Sequence, residues 1–270
     1  LWNATETLLA QQAPPHMRGR VMGLYQTALG AAMALGPFVP GVLRLGAHEV
    51  LWSAAALVAG CVVIAATSHV RAAPTAAASG PSGTWHALRL VPWLAAMAFA
   101  GGVFEAGLSA ISAAHASSTG LSLAAAASAA GAIGIGSFLV QYPAGWAADH
   151  WPVRRVFTAC ASLLVLASAA IAFADRAPWL LWTCGLVWGG AGGALYTLTI
   201  IRVAHAFRGT ATAGATAAMI TGYTWGGSLG PLASGATLQA GGLAGLAALL
   251  FVFALAALIA ARRVGERAPA

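Results

Sequence analysis

The chain has 270 residues, of which 60% are hydrophobic and 7% charged, and its mean hydropathy is +0.81. Soluble globular domains carry about 25% charged residues, so this composition excludes a soluble globule, and its hydrophobicity also excludes intrinsic disorder. The net charge of +7 results from 13 arginines and six acidic residues, and the arginines lie singly or in pairs between apolar segments. Nucleic-acid binders cluster basic residues on one solvated face, and therefore no nucleic-acid partner is predicted.

Continuous apolar segments predict an all-α, polytopic transmembrane helix bundle. Residues 1–10 are typical of the end of a helix, and eight complete spans follow. The predicted spans are 19–43, 49–68, 90–114, 121–147, 153–174, 177–203, 210–238 and 241–261. Each is long enough to cross about 30 Å of hydrocarbon. Barrel strands would alternate in polarity over about ten residues, and these segments do not.

A linker divides the predicted bundle. Residues 69–89 are rich in Ala, Pro, Ser and Gly, which is typical of a flexible connection. It separates an N-terminal part, 1–68, from a six-helix bundle at 90–261 with a short tail at 262–270. Alternation of the spans places eleven of the 13 arginines on one side of the membrane. Because basic loops stay inside, we expect a multi-pass protein of the plasma (inner) membrane whose linker and C-terminus are cytoplasmic.

Two helices carry the same pattern. The spans 19–43 and 210–238 each begin after an Arg-Gly pair and contain a Gly-Pro motif near the other end, within Ala34–Gly41 and Ser228–Gly235. Such a parallel repeat is one architecture of secondary transporters. The prolines remove a backbone hydrogen bond and can kink each helix, which suits either rocking of two bundles or packing alone. The predicted kinks are at Gly36, Pro37, Gly230 and Pro231.

The loop after the span 121–147 reads Gly145-Trp-Ala-Ala-Asp149-His-Trp-Pro-Val-Arg154-Arg155. It resembles the cytoplasmic loop signature of the major facilitator superfamily, and the Gly-Pro helices resemble the antiporter signature of that superfamily. The resemblance, to a bacterial transporter of unassigned substrate, implies twelve helices. The first residues would then end helix four, the spans would be helices five to twelve, and helices one to three would be missing.

The same loop predicts a cytoplasmic gate formed by Gly145, Asp149, Arg154 and Arg155. Asp149 stands at a helix end, where a carboxylate can accept hydrogen bonds from the free N–H groups that begin a neighbouring helix. The arginines can bridge to carboxylates or helix ends, and contacts of this kind can form in one conformation and break in another. Positive-inside topology alone would explain the arginine pair, but it does not explain Asp149.

Glu105 lies 16 residues after Arg89 and ten before His115, or about 24 Å and about 15 Å along a helix. A carboxyl group at that depth costs about 3 kcal/mol or more and should face a cavity or a partner. Ser109 and Ser112 follow at helical spacing and share its face. We therefore predict that Glu105, with Ser109 and Ser112, faces the cavity and takes part in proton coupling. One purely structural interhelical hydrogen bond is the alternative.

Other polar side chains at membrane depth are weaker candidates. Under the resemblance, their helices face the central cavity, so they could bind substrate, although each alone is more often a satisfied interior group. These cavity candidates are Tyr25, Gln26, Gln141, Tyr142, Tyr196, Tyr223 and Trp225. Glu6 could pair with Arg18 or Arg20, but a solvated charge at a helix end is the favoured interpretation.

These features predict a monomeric secondary active transporter that moves a small molecule by alternating access, with proton-coupled antiport or efflux as one mode. The alternatives are a truncated chain that does not transport and, less favoured, a membrane-embedded enzyme. The three cysteines lie in separate apolar segments without metal-binding spacing, and no nucleotide-binding or nucleophile motif occurs. Accordingly no enzyme activity, metal or cofactor is predicted. The expected partners are the lipid bilayer, the solute and protons.

Overall fold

The computed structural model describes residues 2–35, 43, 46–67, 88–89, 91–118 and 120–264. This part of the chain is helical, with no strand among its residues. The N-terminal helices are α1 (Trp2–Gln12), α2 (Arg18–Leu35) and α3 (Ala47–Thr67). A short 3-10 turn, Pro15–Met17, joins the first two. Most of the predicted linker lies outside the described residues.

The C-terminal part begins with one helical stretch that changes its hydrogen-bonding pattern midway. It consists of α4 (Pro92–Gly101), a π-helical segment (Gly102–Gly107) and α5 (Leu108–Ser118). The helices that follow are α6 (Leu123–His150), α7 (Val153–Ala170), α8 (Leu180–Ala206) and α9 (Thr210–Arg263). Ser122 caps α6 by accepting a hydrogen bond from the Ala125 N–H at 3.3 Å.

Helix α9 turns sharply at Gly242, where φ is +59°. An ideal Cβ on Gly245 would lie 2.5 Å from the carbonyl oxygen of Thr237. Residues eight apart in a straight helix are about 12 Å apart, so the chain changes direction between them. The positive φ suits glycine, which has no Cβ to clash with the following carbonyl. The turn lies close to the predicted boundary between the last two spans.

Four helices of the described part are long and apolar enough to cross a membrane. They are Ala125–His150, Val153–Phe173, Leu180–Ala206 and Ala211–Arg263. A shorter apolar helix covers His48–Ile64. The prediction of an all-helical membrane protein is confirmed, whereas these four helices do not establish the eight complete spans that the sequence predicts.

Helix α8 lies at the centre of the bundle, and every residue from Trp188 to Ile201 is buried. Glycines bring it close to α6: a Cβ on Gly136 would collide with the Leu186 carbonyl, and one on Gly189 with the Ile133 carbonyl. Small residues at membrane helix interfaces allow backbones to approach in this way. The central position of α8 places its polar residues at the junction of several helices.

Helix α3 differs from the others because its side chains are exposed continuously from Leu51 to Ile64. Trp52 is 73% exposed and Leu57 72% exposed. A helix that is apolar all round is suited to lipid or to other apolar protein surfaces rather than to water. It therefore contributes nothing to the polar sites described below.

Candidate functional site: a polar cluster between helices

Glu105 lies in the π-helical segment and is held by polar side chains of two other helices. From α6, the Ser137 hydroxyl and the Gln141 amide donate to its Oε1, the amide at 3.2 Å. From α9, the Tyr223 hydroxyl donates to its Oε2 at 3.0 Å. Short π-helical segments are frequent at functional sites because they alter the direction of side chains. The carboxyl group thus joins three parts of the chain.

Glycines make room for this carboxyl group. An ideal Cβ on Gly193 of α8 would lie 2.5 Å from Glu105 Oε1, and a Cβ on Gly102 would collide with the backbone carbonyl of Tyr223. On the neighbouring turn, a Cβ on Gly101 would lie 2.9 Å from the Gly192 carbonyl oxygen. The helices therefore pack with their backbones close together, and the polar side chains occupy the remaining space.

The amide of Gln141 has a defined orientation. Its oxygen accepts a hydrogen bond from the Thr197 hydroxyl of α8, and its nitrogen donates to Ser137 Oγ and to Glu105. Gln141 is 2% exposed and Thr197 is fully buried. The Ser137 hydroxyl donates its one proton to Glu105 and can only accept from Gln141, so the amide N–H groups face Ser137 and the carboxyl group.

A second carboxyl group, that of Glu6 on α1, is fully buried. It accepts hydrogen bonds from Trp2 Nε1 at 2.8 Å, from Gln26 Nε2 of α2 at 2.7 Å and from the Tyr196 hydroxyl of α8 at 2.7 Å. Glu6 and Glu105 thus have similar surroundings. Each accepts one tyrosine hydroxyl, one glutamine amide and one further neutral donor.

The interpretation of Glu6 as a solvated charge was wrong. Its expected partners are engaged elsewhere: Arg18 donates to the Ala204 carbonyl at 3.0 Å, and Arg20 pairs with Asp149 at 3.2 Å. The physical reason is that Gln26 of α2 and Tyr196 of α8, which lie 20 and 190 residues further along the chain, contact the carboxyl group. The position of Glu6, about 9 Å from the end of α1 along the helix axis, was a sequence signal against a solvated charge, but it does not show which segments cover the side chain.

The two carboxyl groups are linked by a pair of tyrosines, Tyr196 and Tyr223, here called the tyrosine bridge. Their ring centroids are 4.6 Å apart, and each hydroxyl donates to a different glutamate. The indole of Trp2 lies 5.8 Å from both rings. Such tilted and edge-to-face contacts are favourable for aromatic rings. The polar cluster therefore extends without interruption from α1 to the π-helical segment.

A separate polar contact joins the start of α2 to the end of α6. Asp149 accepts hydrogen bonds from the N–H groups of Gly19 at 2.7 Å and Arg20 at 2.9 Å, and its side chain is 2% exposed. Gly145 allows the helices to meet, since its Cβ would lie 3.0 Å from Gly23 Cα. The carboxylate thus satisfies free N–H groups of α2 and faces the positive end of the helix dipole.

Two more contacts lie close to the same end of the bundle. Arg18 reaches the Ala204 carbonyl in the last turn of α8, where a cation is favourable. Gln11 at the end of α1 donates to the Gly209 carbonyl at 2.9 Å. Together with Asp149, these contacts hold the N-terminal helices against the C-terminal ones.

The sequence model of the Major Facilitator Superfamily matches residues 104–270. The chain belongs to the major facilitator superfamily. The uncharacterized MFS-type transporter YfkF of Bacillus subtilis (strain 168) is 26% identical over 211 residues, which cover 73% of the chain and 51% of YfkF. The chain thus spans about half the length of this curated relative. These findings confirm the resemblance seen in the loop signature and point to a transporter rather than an enzyme.

In this member of the superfamily, the other predicted site residues differ in how far their side chains are buried. Tyr142 is 42% exposed and Trp225 57% exposed, so their side chains face outward from the described helices. Tyr25 packs partly buried against the core. Ser112 is buried and Ser109 is partly buried. The described partners of Glu105 come from other helices, not from these serines on its own helical stretch.

The paired arginines of the loop signature stand in the first turn of α7. Arg154 and Arg155 are both exposed. The hydrogen bonds described for Asp149 come from Arg20 and from the start of α2. A gating role for the arginines stays a prediction.

The Gly-Pro motif of the second repeat lies inside α9. Gly230 is buried, and the ring of Pro231 packs beside Gly107, whose Cβ would lie 3.1 Å from the proline Cδ. The dihedral angles stay helical through this motif. The first copy, Gly36 and Pro37, lies outside the described residues, so the matched kink stays a prediction.

Proposed function

We propose that the chain forms part of a secondary active transporter that moves a small molecule by alternating access, with a proton exchanged at Glu105. The observation that carries this proposal is the position of Glu105 inside the bundle, where side chains of α6 and α9 hold it. Intramembrane ionisable groups are costly, and they mark ion and solute pathways in membrane proteins.

The chemistry of the partners supports the exchange of a proton. Among the described residues, the hydrogen-bond partners of Glu105 are two hydroxyls and an amide, none of which carries a positive charge. A buried carboxylate without a cationic partner costs several kcal/mol, and proton uptake removes that charge. A neutral carboxyl group can also donate a hydrogen bond, so taking up a proton would rearrange its contacts with α6 and α9.

In this proposal, the Asp149 contact is the cytoplasmic gate. It joins α2, in the N-terminal part, to α6, in the C-terminal bundle, through two N–H groups at the start of α2. Separation of the two parts would expose the carboxylate and break its bonds with α2, which gives two alternative arrangements. The membrane is the plasma membrane, with the linker and C-terminus on the cytoplasmic side.

The remaining parts of the proposal follow the family architecture. The described helices would then be the end of helix four and helices five to twelve, with α9 forming two spans that meet at Gly242. The cavity would lie between the two parts, beside the tyrosine bridge. Its occupant is a small solute, and the protein is a monomer without a cofactor.

The test is substrate-induced proton movement in proteoliposomes. A panel of small solutes is added to vesicles that contain the protein and an internal pH dye, and Glu105→Gln is compared with the unmodified protein. We expect at least one solute to drive a proton flux that Glu105→Gln abolishes while the variant stays folded. Glu49→Gln, at an exposed position in the first turn of α3, is the matched control. Equal flux in the Glu105→Gln variant would refute the proton role.

A further inference from the structure

A continuous series of contacts runs from Glu6 to Glu105 across the two parts of the molecule. The Tyr196 hydroxyl donates to Glu6 at 2.7 Å, the tyrosine rings are 4.6 Å apart, and the Tyr223 hydroxyl donates to Glu105 at 3.0 Å. Glu6 belongs to α1, whereas both tyrosines belong to C-terminal helices. The bond between Glu6 and Tyr196 therefore crosses from one part of the bundle to the other.

The surroundings of Glu6 contain neutral donors from every helix that contributes to its site. Among the described residues, its titratable neighbours are three tyrosines, Tyr25 on α2, Tyr196 on α8 and Tyr223 on α9. The donors from Trp2 and Gln26 carry no charge either. Like Glu105, Glu6 is thus a carboxyl group whose described hydrogen-bond partners include no cation, and a proton is the simplest species that can neutralise it.

We infer that Glu6 is a second coupling residue, which exchanges a proton together with Glu105 and controls the contact between α1 and α8. This inference rests on the proposed function and extends it to a residue outside the C-terminal bundle. When Glu6 is ionised, it accepts three hydrogen bonds and holds Tyr196 strongly, because charged acceptors make stronger bonds. When it is neutral, that hold weakens and α1 can separate from α8.

The tyrosine bridge couples the two glutamates. Each ring is fixed at its hydroxyl by one carboxyl group and along its face by the other ring. Loss of either hydroxyl bond frees one tyrosine ring to move, and the second ring packs against it. A change at Glu105 therefore alters the position of Tyr196 and its bond to Glu6. Residues that share one hydrogen-bonded network show non-additive mutational effects, which gives a direct test of the link between Glu6 and Tyr196 in this series.

The experiment measures the distance between the two parts as a function of pH. Spin labels are placed at Gln12, the exposed end of α1, and at Arg262, exposed near the end of α9, in a background without the three native cysteines. Double electron–electron resonance in lipid nanodiscs then gives the ratio of near to far conformers. Because neither label site belongs to the polar cluster, the labels leave its hydrogen bonds intact.

The variants are Glu6→Gln, Tyr196→Phe and their combination, with Glu49→Gln as an exposed acid-to-amide control. In the unmodified protein we expect the ratio to change about tenfold between about pH 5 and about pH 8. Glu6→Gln should reduce that change to about threefold or less, and adding Tyr196→Phe should have little further effect. Glu49→Gln should behave like the unmodified protein.

A purely structural role would give a different result. Glu6→Gln would then shift the ratio equally at every pH and leave the tenfold response intact, which would overturn the inference. Additive effects of Glu6→Gln and Tyr196→Phe would also overturn it. If Glu6→Gln does not fold, Tyr196→Phe alone carries the test, since it removes the same bond. Failure of the proposed function gives a different result, namely an unchanged proton flux in the Glu105→Gln variant, and can therefore be distinguished from failure of this inference.

Discussion

Replacement of Gly193 by alanine tests whether the Glu105 carboxyl group fits in its site only because residue 193 has no Cβ. The new Cβ would lie 2.5 Å from Glu105 Oε1 and 2.8 Å from its Cδ, whereas ordinary contact begins at 3.4 Å. The carboxyl group would have to move by about 0.9 Å, and the Gln141 side-chain nitrogen, which also lies too close to the new Cβ, would have to move with it. Overpacking of this kind costs about 1–3 kcal/mol in a well-packed interior.

Gly131 of α6 offers a matched control, because an added Cβ there meets nothing within 4 Å. Both changes replace a helical glycine by alanine, and the gain in helix propensity of about 1 kcal/mol is common to them and cancels. We therefore expect Gly193→Ala to be about 1–3 kcal/mol less stable than Gly131→Ala. At about 2–4 °C for each kcal/mol, the midpoint of thermal unfolding should be about 2–12 °C lower.

The assay is thermal unfolding of both variants in one detergent at one heating rate, followed by tryptophan fluorescence. A fixed heating rate is needed because irreversible unfolding makes the midpoint depend on it. The same two variants are then compared for solute-induced proton flux, which only Gly193→Ala should reduce. If Gly193→Ala unfolds at or above the temperature of Gly131→Ala, the tight packing around the carboxyl group is refuted.

Three further changes test other contacts. Asp149→Ala removes the cap of α2 and should cost about 1–2 kcal/mol, which lowers the unfolding temperature. Tyr223→Phe removes a donor to the partly buried Glu105 carboxyl group and should lower solute-induced proton flux about tenfold or more, whereas the exposed Tyr142→Phe should not. Gly242→Ala, at positive φ, should destabilise by about 1–2 kcal/mol relative to Gly241→Ala, and equal unfolding temperatures would contradict a strained turn.

The Asp149 contact illustrates how far loop chemistry can be predicted. A carboxylate beside a helix end has few uses other than to accept free N–H groups, and the structure provides two from the start of α2. Ser109 illustrates the opposite case. It shares a face with Glu105 by helical spacing, but the partners of Glu105 come from α6 and α9, since the π-helical segment changes the direction of the side chain.

Glu6 shows what a sequence alone leaves undecided. Its charge and its position in α1 can be read directly, but its burial depends on Tyr196, which lies 190 residues further along the chain. Sequence patterns show how polar a segment is and not which segments meet, so an isolated glutamate near a helix end was assigned to solvent. The tyrosine bridge was out of reach for the same reason.

The sequence by itself determined that this is a membrane protein built from helices. In lipid, backbone groups are satisfied only in helices or closed barrels, and these continuously apolar segments lack the alternation of barrel strands. It also indicated the family, because the loop from Gly145 to Arg155 and the Gly-Pro helices resemble signatures of the superfamily whose model matches residues 104–270. Only the tertiary structure decided which polar groups meet. Local composition determines whether a helix lies in lipid or in water. Contacts such as that of Tyr223 with Glu105, 118 residues apart, follow instead from how glycine-lined helices pack.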